Sequence, residues 1–359
     1  MCLMCPAVGA SSQPSDAEQL IQAGHWKRAR ALVETGHAGD EALSSYLLSQ
    51  IHYAFGDHTT PLALAEKAVA LNGRVAKYHR QLAEVLGVQA IHANPFQQVL
   101  LARRFRKEID TALELDALDV QSRRDLIEFY LAAPGIVGGD QRKAEATAAK
   151  IGEIDAAEGF LAKARIAAFH KQSAETLAML RDATEAQPPT YRAWIELAQF
   201  HLDAEHFDAE AAEAAARGAL KLDRNRVDAY IVLARTYAHS VEWRALDDLL
   251  TDASHQNPDD LAPYYYAGDE LLRLGRDSAR AERNFRTYLG QEPEGNQPSG
   301  PQAHWKLGLA LEVQGRQMEA VAEWKEALRL DPESPAAHDL KRVRALRAGN
   351  HTISAHVQL

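Results

Sequence analysis

The sequence overlays on itself at intervals of about 34 residues, and this period constrains the fold more than any other feature. The last copy is the clearest: His304-x-x-Leu307-Gly308-x-x-Leu311, then Gly315, Ala320, Trp324, Ala327, Leu328, Leu330 and Asp331-Pro332. The same register returns at Tyr230, Leu233, Ala234 and Tyr237, followed by Ala253 and Pro258. Trp194-x-x-Leu197-Ala198 opens another copy, and Ala281-x-x-x-Phe285 with Pro293 closes one. Such self-similarity marks stacked supersecondary units, none of which buries its apolar face alone. Leu307, Gly308 and Leu311 lie three and four apart, so they share one face of a first helix. Gly315 suits the reversal that follows, where positive φ is needed. Ala320, Trp324, Ala327 and Leu328 form the apolar stripe of a second helix, which Asp331-Pro332 ends because the residue before proline disfavours helical dihedrals.

These residues occupy the W-x-x-L-G-x-x-Y…A-x-x-x-F…P pattern, and the chain resembles the tetratricopeptide repeat family. The resemblance implies an all-α, right-handed superhelical solenoid of antiparallel helix pairs. In this register the units fall at 10–41, 42–75, 76–119, 120–156, 157–190, 191–226, 227–260, 261–300 and 301–334. About nine units plus a capping helix at 335–347 thus fill residues 11–348, with 349–359 as a loose tail. Helices should stop near Gly56, Asp116, Pro188, Pro258, Pro293 and Pro332. Trp324, Phe285, Ala320 and Leu307 should be buried between repeats. The 76–119 unit carries about ten extra residues around His92-Ala93-Asn94-Pro95, so its second helix begins early, near Phe96. The 191–226 unit has two extra residues, placed within a longer or overwound second helix at 209–216; Glu294 to Gly300 reads as a plain loop.

The net charge of −10 and pI near 5.8 argue against a nucleic-acid partner, which needs a concentrated basic face. The densest basic run, Arg103-Arg104-Phe105-Arg106-Lys107, has Glu108 and Asp110 beside it and reads as a solvated helix face. No apolar run is long enough to span a membrane. Residues 1–10, MCLMCPAVGA, are apolar and uncharged and resemble the end of a secretory signal with a cleavage site before Ser11. A start codon placed too far downstream would account for the missing basic part. A bacterial, periplasmic or exported protein is therefore expected, with a cytoplasmic one as the alternative. Cys2 and Cys5 are the only cysteines and lack the further ligands or flanking elements of a zinc or redox centre.

No catalytic, cofactor or metal set is assembled by spacing. Gly-x-Ser-x-Gly and His-Glu-x-x-His are missing, and His201 and His206 are a poor helical pairing for one ion. His79 and His304 stand at the tryptophan position of the repeat, where a packed ring is expected. Ala133-Pro134-Gly135-Ile136-Val137-Gly138-Gly139-Asp140 resembles an A-P-G-x-x-G-G turn of a group of bacterial tetratricopeptide proteins. Its glycines allow positive φ and expose backbone N–H groups, so Pro134, Gly135, Gly138 and Gly139 are candidates for a loop that holds a small anion.

In this family the first helices line a concave groove, reached from the fifth and ninth places of each unit. The Lys and Asn residues with which some members clamp a carboxylate do not occupy those places here. Instead they hold Arg80, Arg124, Arg165 and Arg235, then Tyr265 and Trp305, the residue types that dominate binding hot spots. By the same register Tyr264 is core and Tyr265 faces the groove. The expected function is a non-catalytic scaffold that binds a protein or peptide segment in the groove. The alternative is a regulatory or substrate-recruiting subunit that uses the 133–140 loop for an anion or an enzyme's substrate.

Overall fold

The computed structural model describes residues 15–36 and 39–345. The expected signal remnant at 1–10 with both cysteines, Leu346 of the capping helix and the 349–359 tail lie outside the described residues. Nine successive helix pairs run through the described residues. They are α1 (Asp16–Gln22) with α2 (Trp26–Glu34), α3 (Glu41–Ala54) with α4 (Thr60–Leu71), and α5 (Ala76–His92) with α6 (Pro95–Leu115). Next come α7 (Val120–Ala132) with α8 (Gln141–Ile154), α9 (Ala156–Phe169) with α10 (Ser173–Glu185), and α11 (Tyr191–Leu202) with α12 (Ala209–Leu222). The last are α13 (Asp228–Ser240) with α14 (Trp243–Gln256), α15 (Ala262–Arg273) with α16 (Ser278–Tyr288), and α17 (Gly300–Val313) with α18 (Gln317–Leu330). A final helix, α19, covers 336–345, and no strand occurs among the described residues. This is a helical solenoid.

Local chemistry sets the boundaries. Asp40, Asn94, Asp119, Asp155, Thr190, Asp208 and Ser299 each accept a hydrogen bond from an amide in the first turn of the following helix, satisfying a donor that has no intrahelical partner. The second helix of the long third pair begins at Pro95, as the extra length implies. The extra residues of the sixth pair went elsewhere: α12 is a regular 14-residue helix. They lengthen the Asp203–Asp208 turn instead, which the Asp208 amide closes onto the His201 carbonyl.

First helices of successive pairs touch one another, α7 with α9, α9 with α11, α11 with α13, α13 with α15 and α15 with α17, so they form one continuous layer. Second helices form the other layer, and the core is the seam between them. Leu307, Ala320, Phe285 and Trp324 are all buried there. Trp324 lies so close to Gly308 that a Cβ on the glycine would overlap its indole, and its Nε1 donates to the Trp305 carbonyl. Val343 and Leu340 of α19 cover the end of this seam, with Ser334 buried at the helix entry.

The array also turns back on itself. The first pair meets the connections that follow α14 and α16. Lys27 Nζ donates to the carbonyls of Asp259 (2.6 Å) and Glu292 (2.7 Å), and its amide donates to the Glu294 carboxylate (3.0 Å). Arg30 makes two bonds to Glu292, and Arg28 pairs with Asp259. The Asn296 amide donates to the Ala54 carbonyl, while Gly295 sits against Trp26 and Ala54 with no room for a side chain. Burial pushes the Glu294 carboxyl up to about 7, with the Lys27 amide and ammonium pulling the other way. Asp260, behind it, is pushed up to about 6 by burial, which outweighs the hydrogen bond donated by the Ala262 amide.

Candidate binding surface

The layer of first helices carries the arginines that the repeat register selects, and the structure gives each an acidic partner. Arg165 on α9 makes two bonds of 2.7 Å to Glu128 on α7. Arg124 on α7 and Arg192 on α11 converge on Glu158 of α9, at 3.6 and 2.7 Å. Arg235 on α13 lies 3.8 Å from Glu270 on α15, and Lys306 on α17 pairs with Asp269 on α15 at 2.6 Å. Arg80 is largely buried between Glu84 (3.7 Å) and Asp125 (4.0 Å). Most of these pairs cross from one first helix to the next, forming a charge ladder along the layer. Burial alone would raise the Glu270 pKa. The Arg273 and His239 groups bonded to it, with Arg235 nearby, hold it below the ordinary carboxylate value.

The aromatic part of the expected site is placed differently. Tyr265 is 2% exposed and packs against Tyr266, Phe285 and Tyr288, whereas Tyr264 is only half-buried and bonds to Ser254. Tyr265 is therefore a core residue and no groove anchor. The fifth place also buries Tyr46, Leu161 and Ile195, whereas Arg80, Arg124, Ile231 and Trp305 at the same place stay partly exposed. This position therefore turns toward a neighbouring helix in some pairs and away from it in others. Trp305 stays half-buried, with Nε1 donated to Asp339 of α19 at 2.9 Å, so the terminal helix covers part of its surface.

The A-P-G-x-x-G-G segment forms a short 3-10 turn at Gly135–Val137 between α7 and α8. Gly138 takes φ of 112°, and a Cβ at Gly139 would overlap the Ala133 carbonyl oxygen. The amides of Val137, Gly138 and Gly139 are donated to Pro134 and Gly135 carbonyls, and that of Asp140 to Tyr130. Asp140 caps α8, as the sequence suggests. Four successive amides are thus spent within the turn, and Glu84, Asp125 and Glu128 line the cleft that Pro134, Ile136 and Val137 border. These surroundings suit a cation and not the anion expected of a nest.

His79 and His304 are packed polar rings, bonded at Nδ1 to Glu108 (2.6 Å) and Glu323 (2.7 Å). Donor atoms of Asp203, Glu205 and His206 come within 4.8 Å of one another. Asp203 there caps the Glu205 amide, and His206 stacks on Phe200 at 4.6 Å, so both serve the turn that carries them. No helix among the described residues is long and apolar enough to cross a membrane. Two features escaped sequence reasoning: the closure around Lys27 and Glu294, which joins residues 267 apart, and the acidic cleft, whose one signal was the excess length of 76–119.

No protein-family model matches the sequence, and no curated protein matches it. Solved structures similar to parts or most of the chain include a thermophilic TPR protein of Thermus thermophilus, at 18% identity over 52% of this chain and 96% of that one, with a TM-score of 0.44. Yeast Tom70 is 13% identical over 90% of this chain and 85% of its own, with a TM-score of 0.46. A tetratricopeptide repeat protein of Parabacteroides merdae is 11% identical over 84% and 98%, with a TM-score of 0.41.

Proposed function

We propose that the protein is a non-catalytic scaffold that holds a protein or peptide segment against its inner layer of first helices. The observation that carries this reading is the charge ladder. The Arg165–Glu128 pair faces solvent, where such pairs contribute about 0–1 kcal/mol. The more buried Glu158 and Glu270 keep Arg192, or Arg273 and His239, as partners when Arg124 or Arg235 turns away. An acidic segment can therefore take over these arginines at little cost in stability. A planar guanidinium then offers that segment a bidentate grip. The expected partner is accordingly a segment rich in carboxylates, laid along α7 to α13. Replacing both Arg165 and Arg235 with alanine should weaken binding of the native partner without changing the thermal melt. Arg217, on the second helix α12 and bonded to Glu213 and Tyr237, is the matched outer-face control. A photo-crosslinking residue at 199 should join the partner, and one at 217 should not. Equal crosslinking at both, or full binding by the double variant, would overturn the reading. Export is part of the same proposal, and a native N-terminus other than Ser11 would remove it.

A further inference from the structure

The long third pair creates a cleft that an inner-face scaffold leaves unused. α5 has 17 residues and α6 has 21, whereas α3, α4, α7 and α8 beside them have 14, 12, 13 and 14. At ~1.5 Å of rise per residue, α6 overhangs its neighbours by roughly 10 Å. The flank of that overhang has no helix to pack on, and the 133–137 turn folds over it without filling it. On the α7 side this leaves a cavity of about 660 Å³. Its size is that of a small-molecule site, typically ~300–1,000 Å³.

The walls are apolar: Val88 and Ile91 from α5, Val99 from α6, Phe129 from α7, and Ile136 and Val137 from the turn. Ile91, Phe96 and Ile136 around the overhang are among the most exposed large apolar side chains of the protein, at 73%, 76% and 89%. The charged residues of the lining are three, Glu84, Asp125 and Glu128, and all are acidic. Glu128 is satisfied by Arg165, but Asp125 is poorly compensated. Its Oδ2 is buried with no hydrogen-bond partner, and the Arg80 guanidinium stands 4.0 Å away.

We propose that this cleft binds a small amphipathic organic cation, an ammonium on an apolar body, with the body along Val88, Ile91 and Ile136 and the charge shared by Glu84 and Asp125. An inorganic cation would gain nothing from the apolar walls, and an anion would meet three carboxylates without a free donor set. Burial holds Asp125 up to about 6, with Arg80 opposing and Glu84 adding to the rise. The groups that face it are Arg80 and Glu84 from α5, with Arg124 and Asp119 on its own side. A bound ammonium favours the ionised carboxyl, so affinity should rise as pH passes upward through that value.

The test is calorimetric titration of the full chain with octylamine, octanol and octanoate at pH 7.5 and 5. Octylamine should bind, octanol about tenfold more weakly or worse because it lacks the charge-assisted bond, and octanoate not at all. Asp125→Asn should remove most of the preference for amine over alcohol and flatten the pH dependence. Ile136→Ser, at an exposed position, should weaken both ligands alike with the thermal melt unchanged. Arg235→Ala, which belongs to the inner-face reading, should leave amine binding intact. Equal binding of octylamine and octanoate, or an unaltered amine preference in folded Asp125→Asn, would overturn the proposal. Binding of an acetylated Leu-Leu-Lys amide in place of octylamine would also overturn it, by assigning the cleft to a partner's lysine.

Discussion

Gly138 and Gly139 serve the same turn for different reasons. The first supplies a positive φ, and the second leaves space for the Ala133 carbonyl. Gly139→Ala should therefore cost about 1–3 kcal/mol through forced displacement of the backbone, and Gly138→Ala about 1–2 kcal/mol through left-handed strain. Gly135→Ala should be close to neutral, since a Cβ there would meet nothing within 4 Å. Urea denaturation of the three variants checks the order. At Glu294 the decisive quantity is the proton. Its pKa rises from 4.5 to about 7 on burial, so the folded, closed form binds more protons than the unfolded chain across that interval. The resulting contribution to stability is complete below about 4.5 and is lost as pH climbs through about 7. Glu294→Gln should flatten this part of the pH profile of the melting temperature, and an unchanged slope would contradict the assignment.

Among the helix pairs, the last is the best place to test packing. Trp324→Ala should cost about 3–5 kcal/mol, from lost transfer energy and an unfilled space beside Gly308. Hydrogen exchange should accelerate across 301–345 and leave the central pairs little changed, because the last pair rests on α15, α16 and α19. Helix existence and helix ends were legible in the sequence, since glycine, proline and capping aspartate act locally: α3 stops before Gly56, α14 before Pro258 and α18 before Asp331-Pro332. Faces were legible less often. A period identifies which residues share a stripe, but the angle between neighbouring pairs decides whether the fifth place faces the groove or a helix. That is why Tyr265 lies in the core. The acidic partners of the arginines were half visible: Glu84 follows Arg80 by four residues, whereas Glu158 meets Arg124 only because α7 and α9 are adjacent in space.

At the scale of the whole molecule the closure near Lys27 sets the shape. Replacing Lys27 with methionine removes three oxygen partners at once while keeping the aliphatic stem. Small-angle scattering should then show a larger radius of gyration, and amides of 16–36 should exchange faster. A scattering curve identical to that of the unaltered protein would show that the contact does not hold the turn closed. Closure also has a bearing on assembly order and repeat number. Among the described residues the other helix contacts join neighbouring pairs, which form quickly; the bonds of the closure, those of Lys27 spanning 232 to 267 residues, belong to the slow end of the contact-order scale. They can form only when the pairs in between have each contributed their own rotation. Removing one whole pair between α3 and α14, or adding one there, would carry Lys27 past Glu294 and leave both without partners. The stretch from the first pair to the turn after α16 thus carries a gauge of its own number of turns, one that closes on the right count and leaves any other open.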